Sequence, residues 1–257
     1  MIDLMDISLA FDERLDIVND GVKLIQRKNG LTFGTDALLL AGYINGNENK
    51  ICAELGGGTG IISLLTVSRK KAKKVYVYEI QEQFAELINR NALLNSMENG
   101  IEVICKDIRE ATTADTSGEV DFVFSNPPYM RKDSGRKNEF DEKTVARHEV
   151  FGDIGDFCKS ASRLLKYGGD FLVVYPPDRM AELFDAMKKS HIEPKRLTMV
   201  FPDEYHRPCM ILCSGKKGGK SGLIVPPPLF INRNNQESAE YQYIMEHGEF
   251  NELYKKV

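Results

Sequence analysis

Short, almost wholly apolar runs alternate with longer stretches of helical periodicity between residues 51 and 215. The short runs fall at 51–55, 75–79, 101–105, 120–125, 170–175, 198–201 and 210–213. A strand that is apolar at successive positions is covered on both faces, as in a parallel sheet sandwiched by helices. Between the runs, 82–94 places Phe84, Leu87, Ile88 and Asn91-Ala92 at helical spacing, and 157–165 and 180–189 repeat the pattern. Tyr167-Gly168-Gly169 reads as the stop of the 157–165 helix. Ahead of the alternating region, 31–44 predicts a helix that Thr35 or Asp36 could cap. Behind it, 215–222 reads as a Lys/Gly/Ser linker, 223–232 with its three prolines as an edge segment, and 237–246 as a further helix. The expected fold is α/β: a doubly wound, mostly parallel seven-stranded sheet with helices on both faces. One domain is expected over 1–257, with an N-terminal segment and helix (1–49), a Rossmann-like core (50–215) and a C-terminal appendage (216–257).

Composition narrows the class. Of 257 residues 42% are hydrophobic and 28% charged, enough for a sizeable core. No apolar run reaches the roughly 18 residues of a membrane helix, and Met1-Ile2-Asp3-Leu4-Met5-Asp6 lacks the basic start of a signal peptide. A cytoplasmic protein without a membrane partner is expected, with a monomer the favoured state. The five cysteines are scattered without a CxxC pair, and Cys209 and Cys213, close to His206, read as small strand residues rather than ligands; no metal site is expected. A net charge of −4 does not advertise a nucleic-acid binder. Basic residues are nevertheless bunched at Arg69-Lys70-Lys71 with Lys73-Lys74, at Arg131-Lys132 with Arg136-Lys137, and at Lys216-Lys217 with Lys220. Convergence on one face could hold a phosphate backbone, whereas separate clusters would be solvated turns.

The chemistry gathers at strand ends. After the first core strand comes Glu54-Leu55-Gly56-Gly57-Gly58-Thr59-Gly60, then the apolar helix start Ile61-Ile62. Glycines in such a turn let the backbone approach a ligand closely. A dinucleotide turn wants G-x-G-x-x-G with a pyrophosphate on the helix N-terminus. Here Gly56, Gly58 and Gly60 alternate behind an acid, Glu54, which suits a cation better than a pyrophosphate. S-adenosyl-L-methionine, with a sulfonium and an ammonium and no phosphate, meets that description. Glu79, ending the second strand, could accept the ribose hydroxyls; Asp107, after the third, could take the adenine amino group while Ile108 packs on the ring. Any one of these acids alone would be an ordinary surface residue. Three at successive strand ends mark a ligand site, because open α/β sheets bind there.

The fourth strand runs into Asn126-Pro127-Pro128-Tyr129. A double proline could merely terminate a strand. It could also serve an amino group whose lone pair is delocalised and which is therefore a poor nucleophile. Two acceptors aimed at its protons, the Asn126 side-chain oxygen and the Pro127 carbonyl, would localise that pair toward a methyl donor. Pro127 and Pro128 stiffen the loop, and Tyr129 offers a face for a flipped base. The chemistry would be an in-line transfer, helped chiefly by positioning.

Together these residues resemble the class I methyltransferases that act on amino nitrogens. More narrowly, the chain resembles the bacterial tRNA1(Val) adenine-N6 methyltransferases, in Glu13-Arg14-Leu15-Asp16, in Phe33-Gly34-Thr35-Asp36-Ala37-Leu38-Leu39-Leu40-Ala41, in Ala146-Arg147-His148-Glu149 and in Pro226-Pro227-Pro228-Leu229. The resemblance implies transfer from S-adenosyl-L-methionine to the N6 of a tRNA adenine. It also implies that Phe33, Thr35 and Asp36 line the cofactor or substrate mouth. Arg147 and His148 follow a polar stretch, 131–143, that could order on RNA, although packing at a helix entrance would explain them equally well. Gly57 departs from the usual turn and reads as loosening it. The rival acceptor is a protein glutamine amide, or another RNA. The glutamine enzymes carry a helical domain ahead of the core, for which the approximately 50 preceding residues leave no room. A DNA adenine methyltransferase would need a target-reading domain, and a non-catalytic cofactor-binding module would not need the acceptors of Asn126–Tyr129.

Overall fold

The computed structural model describes residues 9–28, 33–128 and 152–255. A hairpin of β1 (Glu13–Ile17) and β2 (Lys23–Arg27) opens the fold, followed by α1 (Thr35–Tyr43). The core then alternates: β3 (Ile51–Leu55), α2 (Ile61–Ser68), β4 (Lys74–Glu79), α3 (Glu82–Leu94), β5 (Ile101–Cys105) and β6 (Val120–Ser125). After it come α4 (Ile154–Leu164), β7 (Leu165–Tyr175), α5 (Met180–Lys189), β8 (Ile192–Phe201) and β9 (Met210–Lys217). The chain closes with β10 (Leu229–Phe230), the small hairpin β11 (Asn232–Arg233) and β12 (Gln236–Glu237), α6 (Ala239–His247) and α7 (Glu252–Lys255).

Alternation along the strands builds two cores. Val75 and Val77 of β4 join the cluster under α1, α2 and α3, while Tyr76 and Tyr78 face the cluster under α4 and α5. Phe122 and Phe124 of β6 turn to the first face and Val123 to the second. Both faces are buried, which is why the sequence shows unbroken apolar runs there.

The main sheet runs in the order β10-β8-β9-β7-β6-β3-β4-β5. Strands β3 to β7 are parallel, and β9 lies antiparallel between β7 and β8. It has eight strands rather than the expected seven, because Leu229–Phe230 pairs in parallel with Val200 and Phe201 just beyond the prolines. Strand order reverses between β3 and β6, creating a switch point at their carboxyl ends.

Several local expectations are corrected. Helix α1 is entered through an extended Gly34 without a side-chain cap, so neither Thr35 nor Asp36 caps it. Helix α4 starts earlier than expected, through a capping box of Asp153 and Asp156, and passes straight into β7. Tyr167-Gly168-Gly169 therefore lie inside a strand, where Gly168 takes φ +79° beside a register shift between β6 and β7. Gly215 is likewise a strand residue of β9, not linker; a Cβ there would sit 2.2 Å from the Met187 Cε. The last long helix runs Ala239–His247, capped by Ser238 and stopped by Gly248 at φ +67°.

Among the described residues, the two basic clusters lie away from the switch-point end. Lys71 is buried before β4, donating to the carbonyls of Ala41, Gly42 and Gly248 at 2.7, 3.2 and 2.8 Å. Lys216 and Lys217, at the far end of β9, donate to the carbonyls of Gly168 and Leu165. Both groups lie at the amino end of the parallel strands. The Arg131–Lys137 cluster lies outside the described residues.

The hairpin was not anticipated, and one buried side chain fastens it. Asn91 of α3 accepts from Ile25 N at 2.7 Å and donates to both Ile25 O and Thr59 O at 3.0 Å. It joins β2, α3 and the glycine turn. Asn91→Ala would leave three buried backbone groups unpaired, so we expect a loss of about 2–4 kcal/mol in urea unfolding.

Candidate active site

The turn after β3 approaches β4 so closely that Gly56 N and Gly57 N donate to the same carbonyl, Tyr78 O, at 2.9 and 3.1 Å. Gly56, Gly58 and Gly60 have φ of +78°, +56° and +82°, the left-handed region that side chains resist. Gly57 does not loosen this turn. A Cβ on it would stand 2.3 Å from Val77 Cγ1 and 2.8 Å from Ile88 Cδ1, so its missing side chain lets the turn seat on β4 and α3. Gly60 is the left-handed N-cap of α2 and packs against Ile88.

Glu54 and Glu79 are buried at 1% and 5% exposure. Each Glu79 oxygen accepts a backbone amide, Gly58 N and Gln81 N, both at 2.9 Å, and burial raises its pKa. Glu54 accepts from Ser63 Oγ. Burial above all, with the charge of Glu79 adding to it against the Ser63 hydrogen bond, pushes the Glu54 pKa to about 8. Asp107 is half-exposed; the Arg109 guanidinium beside it holds its pKa low, and Ile108 is buried.

Strand β6 is tied to this turn by Ser125, whose Oγ donates to Leu55 O at 2.6 Å. The next residue, Asn126, donates through Nδ2 to Asp36 Oδ2 at the start of α1, at 2.8 Å. That bond spans 90 residues and nothing in the sequence signals it. Thr35 opens α1 beside Asp36, near Tyr241 of α6. Tyr129, Arg147 and His148 lie outside the described residues.

Two cavities meet at the switch point. One, of about 270 Å³, is lined by Phe33, Asp36, Glu54, Ile61, Asn126 and Pro127 among others. The second, of about 240 Å³, is lined by Glu79, Ile80, Asp107, Ile108, Pro128 and Phe157 among others. Gly56, Gly58 and Asn126 border both. Thr35 and Gly60 are not among the described residues that line either cavity. Sequence reasoning missed Phe157 and Phe84, which line the second cavity from helices whose apolar positions read simply as core. Among the described residues no Lys or Arg lines either cavity. Nor do the described residues group three His, Cys, Asp or Glu side chains as for a metal, or include a helix long and apolar enough to cross a membrane.

A doubly wound sheet with a glycine turn and Asn-Pro-Pro side by side at its switch point is the architecture of a class I methyltransferase. The chain matches the model of the methyltransferase small domain over residues 28–192 and belongs to that family. It is 28% identical over 173 residues to the tRNA1(Val) (adenine(37)-N6)-methyltransferase of Bacteroides fragilis, covering 67% of this chain and 72% of that one. With the Phocaeicola vulgatus protein of the same name, identity is 30% over 182 residues, or 65% and 75% of the two chains. Among solved structures, a predicted O-methyltransferase from Agrobacterium tumefaciens superposes with TM-score 0.68 at 21% identity, covering 84% of this chain and 98% of that one. M. jannaschii TYW2 in complex with AdoMet gives 0.55 at 16% identity, over 80% and 85%.

The Glu54 environment makes stability pH-dependent. A carboxyl with a raised folded pKa favours the folded state below its unfolded value, and that advantage is lost as pH rises through the folded value. The window here runs from 4.5 to about 8. Relative to the wild type, ligand-free Glu54→Gln should gain roughly 2–3 kcal/mol between pH 6 and pH 8.5 in urea unfolding. An equal difference at both pH values would show that Glu54 ionises normally.

Proposed function

We propose that this enzyme transfers a methyl group from S-adenosyl-L-methionine to the exocyclic N6 of an adenine in tRNA, in the cytoplasm. The observation that carries the reading is the Asp36–Asn126 hydrogen bond at the shared border of the two cavities. It commits the amide nitrogen of Asn126, leaving the carbonyl oxygen to accept a hydrogen bond from one N–H of an acceptor amino group. The Pro127 carbonyl would accept the second, and no proline amide competes with it. Both acceptors polarise the amino group without removing a proton before transfer.

The cavities fit the donor. When bound, S-adenosyl-L-methionine supplies an electrophilic methyl on a sulfonium. Ile80, Ile108 and Phe157 would enclose its adenine, Glu79 would accept from the ribose, and the buried Glu54 would face its cationic amino-acid end. Asp107, already paired with Arg109, would reach the adenine amino group with a spare lone pair. Asp36 acts as a positioning residue for Asn126 rather than as a donor ligand. The names of the curated relatives support adenine in tRNA as the acceptor.

Asn126→Ala should keep S-adenosyl-L-methionine affinity by calorimetry while losing transfer on the order of 10²–10³-fold. Full activity in that variant would rule out the amide's role. For the acceptor, total tRNA from a strain lacking the protein should gain N6-methyladenosine by nucleoside mass spectrometry. A labelled protein band without labelled RNA would favour the glutamine amide instead.

A further inference from the structure

We propose that the β8–β9 loop and the β11–β12 hairpin form a stacking platform for the single-stranded nucleotides that flank the target, an inference that rests on the RNA reading above. The loop joins the carboxyl end of β8 to the start of β9, on the same rim as Asn126. Strand β9 stands two places from β6 in the sheet, about 10 Å at ordinary strand spacing. Phe33, a wall of the first cavity, and Cys209, Met210 and Ile231, which root the two segments, all border the same large apolar core on this face of the sheet. The platform therefore shares the rim of the acceptor mouth, two strand spacings from Asn126, where the neighbours of a flipped base would lie.

The two segments are fastened to each other. Ile231 N donates to Phe201 O at 2.8 Å, and Asn232 N to Pro202 O at 2.9 Å. The rings of Phe201 and Phe230 lie 5.3 Å apart, and the Arg233 guanidinium covers Phe230 at 4.6 Å. Within the loop, Asp203 accepts from Tyr205 N at 2.8 Å and His206 N at 3.1 Å, and holds the His206 ring at 2.7 Å. The backbone is thus ordered while Tyr205 stands 85% exposed.

The exposed groups suit unpaired bases. Tyrosine, histidine and arginine planes stack on bases that a duplex would hide, and a rigid presentation lowers the entropy lost on binding. Arg207 and Arg233 are both exposed and can meet the backbone, and the Asp203 carboxylate is engaged by His206, leaving Glu204 as the exposed acid of the loop. Lys71, Lys216 and Lys217, at the opposite end, are held by backbone carbonyls and do not face this rim. An acidic peptide would need the cations without the exposed ring, so RNA is the better match.

The test uses the full chain, total tRNA from a strain lacking it, and labelled S-adenosyl-L-methionine. Tyr205→Ala should raise KM for tRNA about ten-fold, with kcat and donor affinity within about two-fold, and Tyr205→Phe should restore the wild-type KM. Arg207→Ala combined with Arg233→Ala should raise KM and reduce the salt slope of tRNA binding by about 2. Wild-type KM in both Tyr205→Ala and the double-arginine variant overturns the platform while leaving tRNA as the acceptor. A wild-type protein that labels a protein and no RNA overturns both.

Discussion

The pairing of β3 with β6 is the constraint on which the rest of the site depends. These strands meet where the sheet reverses direction, so the connections leaving them diverge to opposite faces and open a crevice. Asp121 fixes their start by accepting from Ile51 N at 2.9 Å, and Ser125 fixes their end through Leu55 O. The glycine turn and Asn126 thereby leave neighbouring strands at the same height. A slip of one residue in this register would turn Phe122 and Phe124 to the wrong core and move Asn126 away from the turn.

Helix α1 converts that crevice into an oriented site. Its first turn holds Asn126 through Asp36, while its C-terminal carbonyls are held by Lys71 and by Arg196, which reaches Tyr43 O and Tyr254 O. Cations at a helix C-terminus also complement its dipole. Burial leaves the Lys71 ammonium lowered to about 7, so the clamp is bought with desolvation. Its other carbonyl partner, Gly248, ends α6, whose Ile244 packs so close to Gly42 of α1 that a Cβ there would stand 3.0 Å from Ile244 Cγ2. The C-terminal elements therefore brace the carboxyl end of the helix that aims the amide.

The parallel core was legible because its strands are buried on both faces and so carry unbroken apolar runs. The glycine spacing, the strand-end acids and Asn126 were legible because chemistry restricts those positions to few residue types. What escaped was tertiary. The hairpin turns Glu13 inward to pair with Arg90 and leaves Ile17 exposed, which erases the period-two pattern. Strand β10 has two residues, too few to show any period. Lys71 looked like one lysine in a surface run, and only the carbonyls that surround it show otherwise. The Asp36–Asn126 bond joins distant segments, and Gly57 is needed by neighbours from two other elements.

A crystal structure with S-adenosylhomocysteine bears most directly on the claim that one donor spans both cavities with its sulfur at their border. The expected complex has the adenine between Ile80 and Ile108, the amino group toward Glu54, and the sulfur beside an Asn126 still bonded to Asp36 through its amide nitrogen. A sulfur remote from Asn126, or an Asn126 amide turned so that nitrogen rather than oxygen faces the acceptor, would contradict it.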